Sequence, residues 1–132
     1  MPNLEKEGFE MMKDMKIFEH FLCLLVSVIC LLLSESDIFC LPSFSEGFST
    51  SILEAIACKC FVVTTERGGA KETFPTDDYG MVIKNNNVDL LEHSLMKVID
   101  DKEKREKAVQ LAYDRLKENY TWDIVAAKVE RL

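Results

Sequence analysis

Residues 37–65, DIFCLPSFSEGFSTSILEAIACKCFVVTT, decide the fold, because the spacing of their apolar residues changes from strand-like to helix-like and back. A short apolar run stopped by Pro42 indicates a first buried strand, and the β-branched and aromatic run at 60–65 indicates a second. Between them, apolar residues at helical spacing predict a helix, namely Ile52, Leu53, Ile56 and Ala57. Either Ser49 or Thr50 can cap that helix. The stretch therefore predicts a strand, a helix and a strand in succession.

The alternation continues to the end of the chain. Residues 66–74 open with a glycine turn and continue as a short helix, and residues 80–84 form a third predicted strand. Helices follow from Val88, over residues 100–120 and over residues 121–132. Two of them carry apolar faces, made of Leu90, Leu91, Leu95, Val98 and Ile99, and of Ala108, Leu111, Ala112 and Leu116. Buried-type strands separated by helices predict an α/β fold with a parallel sheet covered by helices.

The most apolar segment is FLCLLVSVICLLL, residues 21–33, and residues 17–35 are predicted to form one helix. A helix that spans a bilayer needs about 20 apolar residues, and Glu19 and His20 interrupt an extension of this one. The preceding residues carry more acids than bases, unlike a signal peptide. Three interpretations stay open: a buried or partner-covered helix, an interfacial or membrane-inserted segment, and a product of truncation without function.

Charge and cysteine content narrow the class of function. The net charge of −7 argues against nonspecific binding of nucleic acid, which requires a basic face. No CxxC pair, metal cluster or nucleophile paired with histidine is found in the sequence. We expect the cysteines to be buried, reduced thiols of a cytosolic protein. They are Cys23, Cys30, Cys40, Cys58 and Cys60.

The turn between the first strand and the following helix contains groups that can bind a phosphate and a polyol. The N–H groups and dipole at the helix start near Ser49 attract anions, and Gly47 lets the backbone approach a ligand closely. Ser49 and Thr50 add hydroxyl donors. Glu54 lies about one turn into the helix, where a carboxylate can accept two hydrogen bonds from a diol such as that of ribose. Glu46 precedes the helix and can face the far side of the phosphates.

Each of these residues also has a purely structural interpretation. Glu46 could support the turn, Glu54 could lie on a solvated helix face, and Phe48 is interpreted as a packing residue. Gly68 and Gly69 form a second glycine turn after a strand, which is interpreted as structural. On spacing alone, neither interpretation of the two glutamates is excluded.

Three segments together resemble the C-terminal, donor-nucleotide-binding part of a family-4-type glycosyltransferase with the GT-B fold. They are residues 34–74, 79–101 and 120–132. In order, they contain an Asp-led strand ending in Pro-Ser, Glu-Gly-Phe, a second Glu eight positions on and a Val-Val strand. The pattern is completed by Gly-Gly followed by Glu, by a Gly before an apolar strand and by a Trp near the end. The resemblance covers residues 31–132 and leaves residues 1–30 as a polar lead and an apolar helix.

The resemblance implies a partial Rossmann-like, three-layer parallel sheet of about three strands, and it implies a donor site. In this family the C-terminal domain holds a nucleotide-diphosphate sugar. Glu46 would be the catalytic residue and contact hydroxyls of the donor sugar, while Glu54 would bind the ribose hydroxyls. Backbone amides at the helix start would bind the diphosphate. The implied donor-binding set is Glu46, Gly47, Phe48, Ser49, Thr50 and Glu54.

The resemblance also implies the partners. We expect transfer of a sugar from a nucleotide-diphosphate sugar to a glycan or lipid-linked acceptor in polysaccharide biosynthesis, with no bound metal or cofactor. The chain would lie in the cytoplasm or at the inner face of the membrane, with a complementing chain or a second copy as a further partner. Residues 1–30 do not match the family's phosphate-binding Arg and Lys, so we expect weak or no catalysis by this chain alone. Two alternatives to an enzyme stay open. One is a non-catalytic half-domain that binds a nucleotide, and the other is a truncated remnant that acts through its apolar helix.

Overall fold

The structure is a computed structural model, and it describes residues 20, 22–44, 49–84 and 87–130. Contacts divide the chain into two compact units, Met1–Leu32 and Leu33–Leu132. The described residues contain no helix that is both long and apolar enough to cross a membrane.

In the first unit, residues from 22 onward form a helix, α1, which continues to residue 34. Leu33, the first residue of the second unit, is buried at 9%, whereas the large apolar side chains of residues 22–32 are exposed, at 42% to 64% of their full area. They are Leu22, Leu24, Leu25, Val26, Val28, Ile29, Leu31 and Leu32. The predicted helix is thus present between residues 22 and 34, and the three interpretations of its role stay predictions. The part of the prediction that falls on residues 17–19 lies outside the described residues.

The second unit contains the predicted alternation of strands and helices. Its strands are β1, Ile38–Leu41, β2, Phe61–Thr65, and β3, Met81–Ile83. Its helices are α2, Thr50–Ala57, α3, Ala70–Thr73, α4, Val88–Asp100, α5, Lys102–Asn119, and α6, Trp122–Val129. The strands are shorter than predicted at one or both ends. β1 ends at Leu41 because Pro42, which follows it, has no N–H to donate to a neighbouring strand.

The described strands form one parallel sheet in the order β1-β2-β3. Leu41 pairs with Thr64, and Thr64 pairs with Val82 on the other side of β2. All five residues of the central strand β2 are buried, as expected for a parallel sheet covered on both faces. The predicted α/β class and parallel sheet are therefore confirmed.

Helices cover both faces of the sheet. Successive residues from Cys60, just before β2, to Val63 pack alternately against one face and the other. Cys60 and Val62 pack into a cluster with the buried face of α2, whereas Phe61 and Val63 pack into a second cluster with Val98 of α4. The long helix α5 contributes Ala112 to the first cluster and Ala108 to the second. The result is a three-layer arrangement around a narrow sheet.

The predicted apolar faces of α4 and α5 are buried only in part, and the prediction that the cysteines are buried is wrong for most of them. Leu90, Ile99 and Leu111 belong to the predicted apolar faces of α4 and α5 but are exposed, because the narrow sheet covers only part of each face. Among the cysteines only Cys60 is buried: Cys58 is half-buried, and Cys23, Cys30 and Cys40 are exposed. All five are thiols that form no disulfide.

Candidate functional site

The candidate site lies where the chain leaves β1 at the carboxyl edge of the sheet. In parallel α/β sheets, ligands bind outside the carboxyl ends of the strands. Residues 42–49 connect β1 to α2 at this edge. Within them, Glu46, Gly47 and Phe48 lie outside the described residues, and their predicted roles stay predictions. The structure describes the two flanks of this turn, which are residues 42–44 before it and the start of α2 from Ser49 after it.

On the first flank, two hydroxyl groups at the end of β2 form hydrogen bonds with the backbone that leads into the turn. The Thr64 hydroxyl donates to the carbonyl of Leu41 at 3.0 Å, and the Thr65 hydroxyl donates to the carbonyl of Ser43 at 2.7 Å. The Ser43 N–H also donates to the Leu41 carbonyl, at 3.1 Å. Both threonines are buried, at 3% and 2% exposure. The backbone entering the turn is therefore fixed to the central strand.

The second flank is the start of α2. Ser49 has extended backbone angles, φ −82° and ψ 110°, and occupies the N-cap position, as predicted for Ser49 or Thr50. Its side chain makes no capping hydrogen bond, and the first turn of α2 contains no acidic residue. The N–H groups of a first helical turn have no partner within the helix, and they lie at the positive end of its dipole. This end of α2 is suited to an anion.

Glu54 lies on the solvent side of the same helix. The opposite side of α2 is anchored in the core by Ile52, Ala55 and Ile56, at 5%, 0% and 2% exposure. Glu54 itself is exposed, four residues after Thr50, which corresponds to about 6 Å along the helix axis. A packed helix thus presents an anion-binding end and a carboxylate at a fixed separation.

A second turn follows β2 at the same edge of the sheet. Gly68 has a φ of 53°, in the left-handed region that glycine adopts without strain. Beside it, Lys71 forms an ion pair with Glu66. The hydrogen bond from Lys71 lowers the pKa of the Glu66 carboxyl, and the nearby charges of Lys84 and Arg67 act in the same direction. The sequence pattern gave no sign of this ion pair.

The described residues contain no group of three or more histidine, cysteine, aspartate or glutamate side chains that could hold a metal ion. One cavity among them is lined by Asp37, Lys59 and Arg105 among others, and an apolar one lies along α4. Among the described residues, the end of α2 and Glu54 are features suited to a nucleotide.

Comparison with known proteins identifies the family. Residues 21–115 match the family model described as Glycosyl transferases group 1. A relative from Campylobacter jejuni subsp. jejuni is 30% identical over 86 residues, covering 64% of this chain and 24% of the relative. It is named N-acetylgalactosamine-N,N'-diacetylbacillosaminyl-diphospho-undecaprenol 4-alpha-N-acetylgalactosaminyltransferase.

Two solved structures resemble the chain. The C-terminal domain of a glycosyl transferase group 1 family protein from Francisella tularensis superposes with a TM-score of 0.60 at 31% identity, covering 65% of this chain and 44% of that domain. A sucrose-phosphate synthase from Thermosynechococcus elongatus gives a TM-score of 0.70 at 20% identity, covering 76% of this chain and 25% of the synthase. The second likeness concerns the fold alone.

The chain spans about a quarter of the length of the curated relative, 24%. The match nevertheless includes the sheet and α2, which are the elements that build the candidate site. The family inferred from the ordered motifs is thereby confirmed. This chain belongs to the group 1 family of glycosyl transferases.

Proposed function

We propose that this chain forms part of the donor site of a glycosyltransferase and binds a nucleotide-diphosphate sugar. The observation that carries the proposal is the geometry of α2, which has an anion-attracting end at Ser49 and an exposed carboxylate at Glu54. In a member of this family, the two features fit the diphosphate and the ribose of one ligand. Glu46, which precedes the helix, is proposed to contact hydroxyls of the donor sugar as the catalytic residue.

The chemistry assigns a separate role to each part of the site. Amides at the start of α2, from Phe48, Ser49 and Thr50, donate hydrogen bonds to phosphate oxygens, which carry negative charge. Gly47 allows the backbone to approach those oxygens closely. The ionised carboxylate of Glu54 accepts hydrogen bonds from hydroxyls and cannot donate any, so it favours a ribose diol over a further phosphate. Charge therefore orients the nucleotide along the helix.

A glycan or a lipid-linked glycan is the proposed acceptor. The name of the Campylobacter jejuni relative describes an N-acetylgalactosaminyltransferase for a diphospho-undecaprenol-linked glycan. An acceptor of that kind would place the reaction at the cytoplasmic face of a membrane. The parts of the protein that hold the acceptor lie outside the residues that the structure describes.

We expect catalysis by this chain alone to be weak. Transfer requires stabilisation of the negative charge that develops on the departing diphosphate. Among the described residues near this edge, Lys71 is paired with Glu66, and the charges of Arg67 and Lys84 also lie close to that carboxylate, which offsets part of their positive charge. Sugar transfer by the purified chain is therefore expected to stay well below about 1 per second, a typical enzyme rate. Transfer at that rate would contradict this part of the proposal.

Calorimetric titration of uridine diphosphate and guanosine diphosphate into the purified chain tests the proposal. We expect at least one of them to bind and the Glu54→Ala substitution to weaken that binding about tenfold or more. Glu92→Ala is the matched control, because Glu92 is also an exposed helical glutamate but lies on α4. A folded chain that binds neither nucleotide, or a Glu54→Ala variant that binds as well as the unaltered chain, contradicts the proposal.

The exposed apolar surface of α1 favours a second candidate function, association through that helix. Apolar side chains exposed along residues 22–32 are typical of surfaces that bind protein or membrane. Sedimentation of the chain with and without detergent tests it. Oligomers or precipitates that detergent dissolves would support association, whereas a monomer in buffer without detergent would contradict it.

A further inference from the structure

We infer that Arg67, Lys71 and Lys84 form a second anion-binding site at the carboxyl edge of the sheet, which takes a diphosphate group. These three residues are called the basic patch. Two sources of a diphosphate fit the proposed function, the donor nucleotide and a lipid-linked acceptor, and the inference rests on the proposed function only in this choice of source. The patch follows β2 and β3, whereas the proposed site of the donor phosphates lies at the start of α2.

The backbone brings the three residues of the basic patch to one place. The strands β2 and β3 end side by side, because their last residues are partners in the parallel sheet. The N–H of Glu66 extends this pairing by donating to the Ile83 carbonyl at 2.8 Å. Arg67 and Lys84 therefore follow the ends of two neighbouring strands within one or two residues, and Lys71 follows on the short helix α3.

The carboxylate of Glu66 lies within reach of all three positive charges. It forms an ion pair with Lys71, whose hydrogen bond lowers the pKa of the Glu66 carboxyl, and the charges of Lys84 and Arg67 add to this effect. Even if the exposed Glu72, next to Lys71 in α3, is counted with Glu66, the described residues here carry three positive charges against two negative ones. This surplus of positive charge contrasts with the net charge of −7 of the whole chain.

A phosphate can take the place of Glu66 beside Lys71. The ion pair of these two residues is accessible to solvent, with 31% of the Glu66 side chain and 70% of the Lys71 side chain exposed, and such pairs are weak in water. A terminal phosphate carries more negative charge than a carboxylate and has three acceptor oxygens. The planar guanidinium of Arg67 can bind two of these oxygens, while Lys71 and Lys84 contribute point charges. In the chain without ligand, Glu66 is thus the counter-ion that a diphosphate displaces.

Titration of inorganic pyrophosphate into the full chain, followed by two-dimensional amide nuclear magnetic resonance, tests the inference. We expect the backbone signals of Arg67, Lys71 and Lys84 to shift. Glu66→Gln, which removes the competing carboxylate, should tighten the binding of pyrophosphate about threefold, and Lys71→Gln should weaken it about threefold. Added salt should weaken binding, because the site is exposed and electrostatic.

A second exposed ion pair, on α5, provides the matched controls. The Lys107 ammonium donates to Glu103 at 2.6 Å, and the two side chains are 72% and 80% exposed. Glu103→Gln and Lys107→Gln change the net charge of the chain by the same amounts as Glu66→Gln and Lys71→Gln do. The affinity for pyrophosphate should stay almost unchanged in both control variants. Equal effects at the two ion pairs would show that overall charge alone matters, and would overturn the inference.

The outcomes separate this inference from the proposed function. If pyrophosphate does not bind, or if Glu66→Gln and Lys71→Gln leave its affinity unchanged, the inference is wrong. The proposed function is then still decided by the nucleotide titration and by Glu54→Ala. If no nucleotide binds but pyrophosphate responds to both patch variants as expected, the proposed function is wrong and the anion site stands.

A competition experiment distinguishes the two sources of the diphosphate. The pyrophosphate titration is repeated in the presence of a saturating concentration of the nucleoside diphosphate that the chain binds. Loss of the pyrophosphate-induced shifts at Lys71 and Lys84 would assign the basic patch to the donor. Unchanged shifts would assign it to the acceptor. Pyrophosphate that shifts only the signals of Ser49 and Thr50, at the start of α2, would overturn the inference.

Discussion

Gly80 lies directly against the ring of Phe74. A Cβ atom added to Gly80 would come within 2.8 Å of two carbons of that ring and 3.2 Å of the Val62 carbonyl oxygen. Phe74 is 4% exposed and belongs to the core cluster that also contains Val62. The glycine before β3 is therefore required by packing, and this explains the Gly that precedes the third apolar strand in the sequence.

Substitution of Gly80 by alanine should destabilise the protein. The added methyl must displace the Phe74 ring, and overpacking of this kind costs about 1–3 kcal/mol. Urea denaturation followed by circular dichroism measures the effect. Gly69→Ala is the control, because Gly69 has an ordinary φ of −79°, and it should change stability by less than about 0.5 kcal/mol. Equal stability of Gly80→Ala and the unaltered chain would show that the ring does not occupy this place.

Arg105 stabilises the junction between α4 and α5. Its guanidinium donates to the carbonyls of Val98 and Ile99, at 2.8 and 3.1 Å, in the last turn of α4. These carbonyls have no partner within their own helix and lie at its negative end. Arg105→Met should lower the free energy of unfolding by about 1–2 kcal/mol. Lys104→Met, at the exposed neighbouring position, should have almost no effect, and a similar loss in both variants would contradict the assignment.

The Lys71–Glu66 pair should make stability depend on pH in the acid range. Lys71 lowers the pKa of the Glu66 carboxyl from its ordinary value of 4.5. A carboxyl whose pKa is lower in the folded state stabilises the fold above its unfolded pKa and loses that contribution as the pH falls through the folded pKa. The stability difference between the unaltered chain and Lys71→Met should therefore be constant at neutral pH and shrink below about pH 4.5.

Nuclear magnetic resonance titration of the Glu66 carboxyl checks the cause. In Lys71→Met its pKa should rise toward 4.5, because the largest contribution is the hydrogen bond from Lys71. Lys84→Met removes only a nearby charge and should raise the pKa less. A Glu66 pKa that is unchanged in Lys71→Met would show that the ion pair does not form in solution.

Thiol reactivity should differ sharply between Cys60 and Cys23. Burial raises the pKa of the Cys60 thiol, and Cys58 and Asp37 contribute in the same direction. Its Sγ also donates to the Leu33 carbonyl at 3.0 Å. Since the thiolate is the reactive form, iodoacetamide at pH 8 should modify the exposed Cys23 first, as measured by mass spectrometry of peptides. Denaturant should abolish the difference, and equal rates in the folded chain would contradict the burial of Cys60.

Local patterns in the sequence predicted most of the fold. A buried strand such as β2 is continuously apolar or β-branched, and the glycine, proline and capping residues between elements mark the ends of helices and strands. The predicted extent of burial was less accurate. Helical spacing identified the apolar face of α4, but it cannot tell how far a sheet with a three-residue strand β3 covers that face. Leu90 and Ile99 are exposed for this reason.

The candidate site was predictable only in part. Glycine, hydroxyl residues and a carboxylate one turn into a helix are local signals, so the sequence predicts a role for the start of α2 and for Glu54, and those roles stay predictions. Thr65 was interpreted only as a strand former, because its hydrogen-bond partner lies 22 residues away and no local pattern records that contact. The ion pair of Lys71 likewise depends on the turn that Gly68 permits.

The proposed role of Glu54 is recognition of the ribose hydroxyls of a nucleoside diphosphate whose phosphates lie at the start of α2. Its most direct test compares the affinities of uridine diphosphate and its 2′,3′-dideoxy analogue for the unaltered chain and for Glu54→Ala, with the guanosine pair measured in parallel. We expect the unaltered chain to prefer the ribose form about tenfold or more and Glu54→Ala to bind both forms equally weakly. A preference that survives in Glu54→Ala, or its absence in the unaltered chain, would contradict this role of Glu54.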